Sequence, residues 1–137
     1  MTPETLARLA VARAHRDLSD LARQGVGGSS SGAGARERIE SARRLRVMVN
    51  ELVDLVVLGE ALGGTSWEEI TRALRRMDAA TVRAEYEDAV SEWRGTPAGQ
   101  AQKAIDEARG LDAWYRQHRE DADPSAGNPV SDLLYVD

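Results

Sequence analysis

A chain of 137 residues with 42% apolar content is sized for one domain with a real core, and at 4% aromatic with no Phe that core must be aliphatic. It has no Cys, which excludes disulfides, cysteine-based zinc sites and thiol nucleophiles. The net charge of −5 divides unevenly along the chain: arginines dominate residues 1–50 and carboxylates dominate the rest. Overall acidity argues against non-specific coating of nucleic acid but leaves room for a local basic face. Arg outnumbers Lys so heavily (Lys103 is the single Lys) that the bias reads as a GC-rich coding sequence. The one apolar stretch of note, Val47 to Leu62, carries Asn50, Glu51, Asp54 and Glu60 and is too charged to span a bilayer. With no secretory pattern at its start, the chain is expected to be cytoplasmic and to have no membrane partner.

The first predicted helix runs from about Thr2 to Gln24. Thr2 caps it, Pro3 suits its first position, and Leu6, Ala10, Ala14, Leu18 and Leu21 form an apolar stripe. Gly25 is expected to stop it, and Gly25 to Gly34 reads as a flexible loop, natural or an engineered connector. The second helix, about Ala35 to Leu62, is the longest. Ile39, Ala42, Leu45, Val49, Leu52, Val53, Val56 and Leu62 keep a helical rhythm, and the face broadens after Val47. That breadth predicts a central helix with Val53 and Val56 buried. Its N-terminal third is a basic arm of Arg36, Arg38, Arg43, Arg44 and Arg46, which suits either phosphate contacts or solvated ion pairs with Glu37 and Glu40.

Gly63-Gly64 ends the second helix. Thr65 or Ser66 caps a short third one from Trp67 to about Arg76, and Trp67 is expected to anchor it on the second. Asp78 caps a fourth, about Ala79 to Arg94. After the break at Gly95-Thr96-Pro97 comes a fifth, about Ala98 to Arg119, burying Ala101, Ala104, Ile105, Ala108, Leu111 and Tyr115. The fold class predicted is all-α: a five-helix bundle at 1–119, followed by a disordered acidic tail at 120–137. Within that tail Leu133-Leu134-Tyr135 either tucks onto its own bundle or docks on a partner.

The segment Gly63-Gly-Thr-Ser-Trp-Glu-Glu-Ile-Thr-Arg-Ala-Leu74, followed by Asp78-Ala-Ala-Thr-Val-Arg-Ala-Glu-Tyr86, resembles helix-turn-helix segments of actinobacterial proteins. The likeness covers about thirty residues. It departs in the turn, where Arg75-Arg76-Met77 stands in place of the usual Gly, and at Thr71, where a small Ala is common. The resemblance implies double-stranded DNA as partner, in a regulatory or mobile-element role. Thr81 and Arg83 would then read base edges while Arg72, Arg75 and Arg76 hold phosphates. A homodimer through the long helix is expected alongside. The alternative is a helical protein–protein interaction module that keeps the shape without binding DNA, because Glu85, Glu87 and Asp88 follow Arg83. No catalytic set, metal site or cofactor motif is read: His15 and His118 stand alone, and the Gly/Ser loop lacks the Lys that a phosphate-binding loop needs.

Overall fold

In the computed structural model, which describes residues 1–96 and 101–135, the chain is all-helical. Five helices follow in order: α1 (Pro3–Gly27), α2 (Ala35–Leu62), α3 (Trp67–Ala73), α4 (Ala79–Arg94) and α5 (Ala101–His118). A 3-10 helix, Ser131–Tyr135, closes the described chain. The predicted bounds of α2 and α4 are met. Ala98, placed at the start of the fifth helix by the sequence, lies outside the described residues. No described helix is long and apolar enough to cross a membrane.

Local chemistry sets the helix starts. The Thr2 hydroxyl accepts from the Thr5 amide at 3.1 Å, Ser66 from that of Glu69 at 3.2 Å, and Asp78 from that of Ala80 at 3.1 Å. α1 does not stop at Gly25 but continues through Gly27, and the Gly28 amide bonds to the Gln24 carbonyl at 2.9 Å. A glycine costs a helix roughly 1 kcal/mol and does not break it when the backbone hydrogen bonds continue.

α1 and α2 form an antiparallel hairpin. A Cβ at Gly63 would meet the Glu4 carboxylate, and one at Gly59 would sit 3.7 Å from the Ala7 Cβ. α5 runs parallel to α1 on another side: Arg13 pairs with Glu107, and seven residues further along both helices the Trp114 indole donates to Asp20 at 3.3 Å. α3 and α4 pack on the C-terminal end of α2.

Two aliphatic clusters result. One joins Val57, Leu58 and Ala61 of α2 with Ile70 of α3 and Val82 and Val90 of α4, and Trp67 packs half-buried against it. The other joins Leu9 of α1 with Ala104, Ala108 and Leu111 of α5 and Val130 beyond it. The long helix is therefore buried mainly through its last turns. Val53 and Val56, expected in the core, are 40% and 39% exposed. The rhythm located an apolar face correctly, but the neighbours that could cover it stop at α3.

The tail also differs from expectation. Residues 120–128 are exposed, but Val130 and Ser131 are buried and Leu133 and Leu134 half-buried against α1 and α5. Of the two fates open to Leu133-Leu134-Tyr135, packing on its own bundle is the one observed for the leucines; Tyr135 stays 66% exposed.

Candidate functional site

The α3–α4 unit is where the sequence placed its sharpest functional residues. α3 ends in a compact turn: the Arg75 amide bonds to the Arg72 carbonyl at 3.0 Å and the Arg76 amide to that of Thr71 at 3.0 Å. This double bond pattern needs a left-handed residue just past the helix, and Arg75 supplies it at φ 57°. α2 ends in the same way, with Gly64 at φ 95° and the Thr65 amide bonded to the Glu60 carbonyl at 3.0 Å. The glycine absent from the α3–α4 turn is thus replaced by an arginine that adopts the glycine's backbone conformation. Thr71, the other departure, is buried and donates to the Trp67 carbonyl, which satisfies its hydroxyl within α3.

The side chains proposed to touch DNA are largely engaged within the unit. Arg76 holds Glu85 with two hydrogen bonds at 3.1 and 2.8 Å, tying the turn to α4. That pairing keeps the Glu85 carboxyl below the usual carboxylate range and raises the Arg76 guanidinium. The Thr81 hydroxyl donates to Asp78 at 2.7 Å as part of the helix cap, and together with the Ala80 amide it holds the Asp78 carboxyl low. Arg83 pairs with Glu87 at 3.5 Å on the same helix. Only Arg72 and Arg75 of the five are exposed with no carboxylate partner among the described residues. The exposed face of α4 presents Glu85, Glu87, Asp88 and Glu92 against Arg83 and Arg94.

The basic arm of α2 is solvated. Arg36 pairs with Glu40 at 3.1 Å and Arg38 donates to the Ala33 carbonyl. Arg43, Arg44 and Arg46 are exposed and unpaired among the described residues. Alongside them runs an uncovered apolar line. Ile39 is 61% exposed and Val49 43%, continuing into Val53 and Val56.

Two features escaped the sequence reading. Tyr86 closes the segment that carries the resemblance, but its partner was not foreseen: its hydroxyl donates to Asp54 of α2 at 2.8 Å, and burial together with that carboxylate pushes the phenol up to about 12. Asp112 is 1% exposed and accepts from the Val130 amide at 2.7 Å, from the Ser131 amide at 3.3 Å and from the Ser131 hydroxyl. The signal was present, since Asp112 lies one turn beyond Ala108 and beside Leu111 on the apolar face of α5. Among the described residues no three His, Asp or Glu side chains converge as a metal site would require. Comparison of the chain with protein-family models, curated proteins and solved structures finds no match.

Proposed function

We propose that this chain is a helical protein–protein interaction module whose α3–α4 unit keeps a helix-turn-helix outline without a DNA-reading surface. One observation carries the reading: the outward face of α4, which would enter the groove, is acidic, and Arg83 in its N-terminal half is paired with Glu87. A recognition helix approaching phosphates with four exposed carboxylates would meet repulsion along its length. The uncovered aliphatic line on α2 supports the same reading, because contiguous exposed apolar surface marks interaction sites. The module is non-enzymatic and cytoplasmic in this reading.

A second reading, a small DNA-binding protein of regulatory or mobile-element type, draws on the likeness to actinobacterial helix-turn-helix segments and on Arg72 and Arg75 at the turn. Incubation with a genomic fragment pool at moderate and high salt separates the two. The interaction reading expects no fragment enriched at either salt. Enrichment that weakens uniformly in Arg75→Ala, with a salt dependence flatter by about one unit, favours DNA instead.

A further inference from the structure

The apolar line on α2 has a regularity that its burial pattern brings out. Ile39, Ala42, Arg46, Val49, Val53, Val56 and Glu60 follow one another at alternating intervals of three and four residues, and all are exposed. That alternation is the spacing of a coiled-coil seam, in which one stripe of a helix meets a like stripe of another. It lies between the side of α2 that packs on α1 and the side that packs on α3 and α4. Val56 stands between two hollows that such packing would fill. One, of about 420 Å³, is walled by Leu52, Ile70 and Leu74. The other, of about 280 Å³, is walled by Val11, Ala12 and Leu133.

Charge indicates what covers the seam. Its N-terminal half contains Arg46 and is flanked by Arg43 and Arg44, and none of the three has a carboxylate partner within the chain's described residues. Its C-terminal half ends at Glu60, and α3 beyond it opens with Glu68 and Glu69, all three exposed. A parallel pair of these helices would set Arg46 beside Arg46 and Glu60 beside Glu60. An antiparallel pair lays the basic half of each along the acidic half of the other.

We infer that the α2 seam is the docking surface for a second copy of this chain, paired antiparallel around Val49, Val53 and Val56. The inference rests on the interaction reading above and names its partner. The two valines nearest the centre of the pairing interleave, the flanking hollows receive side chains of the opposite copy, and the two arginine-rich arms reach past the centre toward Glu60, Glu68 and Glu69.

The test uses the full chain, measured by sedimentation across the micromolar range. Wild type is expected at twice the chain mass, and Val53→Asp at the single-chain mass with an unchanged circular dichroism spectrum. Should Val53→Asp fail to fold, Val49→Asp, at a more exposed seam position, gives the same readout. Direction is read from spin labels in this Cys-free chain. Labels on Asn50→Cys should lie close together in the pair. Labels on Arg36→Cys should be separated by more than about 40 Å, given 1.5 Å of rise per helical residue. A single-chain mass for wild type, or an undiminished pair in both aspartate variants, overturns the inference, and short distances at both sites overturn its direction. Enrichment of DNA from the fragment pool is a separate result that overturns the reading beneath it, whatever the mass.

Discussion

The last turns of α2 and the stretch before them carry the same kinds of aliphatic residue at the same helical rhythm, yet one is core and the other is surface. Val57, Leu58 and Ala61 are 4–6% exposed because α3 and α4 pack on them. Val49, Val53 and Val56 lie upstream on the adjoining face and remain open, because α4 reaches this level of the helix on a different side, at Asp54, and α1 covers only one side. Burial is a property of the neighbours that a helix meets. Apolar content states only what a helix could bury.

The largest effect that can break this comparison is a carboxylate placed on each side of it. Val82→Asp, at a residue with no exposure in the α2–α4 cluster, should cost ~4 kcal/mol and leave little folded protein at ambient temperature. Val53→Asp should cost the single chain under about 1 kcal/mol. Chemical denaturation of both variants at low protein concentration compares them directly, and equal losses would place Val53 in a core after all.

The second cluster has a polar clasp where the first has packing. Asp112→Ala strands the Val130 and Ser131 amides, and the expected loss is about 2–3 kcal/mol. Amide exchange should accelerate at those two positions far more than in α2, which would show that the 3-10 helix opens on its own.

Tyr86 links α4 to the boundary between the two parts of α2. Its phenol is raised from 10.0 to about 12, so the folded state keeps the proton more tightly than the unfolded chain does. The associated stability is fully present below pH 10 and is lost as pH rises through 12. Tyr86→Phe should remove that alkaline loss from the melting profile while costing ~1 kcal/mol at neutral pH.

The last expected effect is a gain. Arg75 occupies a left-handed conformation that side chains disfavour, whereas α2 ends on Gly64 in the same motif. Arg75→Gly should raise stability by about 1 kcal/mol, and Arg75→Ala should not. A rise in melting temperature for the glycine variant alone would confirm that the two helix ends are chemically equivalent.

Much of the fold was legible in the sequence because helix starts are local events. Thr2, Ser66 and Asp78 announce themselves by residue type, and the bounds of α2 and α4 follow from caps and glycines. The burial of Val53 and Val56 was misread because it depends on contacts across the fold that rhythm does not encode. The engagement of Arg76 and Arg83 was half legible. Arg83 and Glu87 stand one helical turn apart, whereas Arg76 and Glu85 meet only because the turn folds back on α4. The clasp at Asp112 was hidden because a carboxylate on an apolar face looks like an error until its partners, eighteen and nineteen residues later, are seen.

The tail is attached to α5 at several points along its length. Besides the clasp, the Tyr115 hydroxyl donates to the Pro124 carbonyl and Arg116 to the Gly127 carbonyl at 2.7 Å, so residues 120–128 form an exposed loop pinned on both sides. Such a loop offers a protease an accessible backbone whose scission removes no buried contact. A chain nicked near Asp121 should therefore migrate as one body on a native gel and separate into two pieces only in denaturant. The last residues would then behave as a tightly held peptide ligand of the helices that precede them.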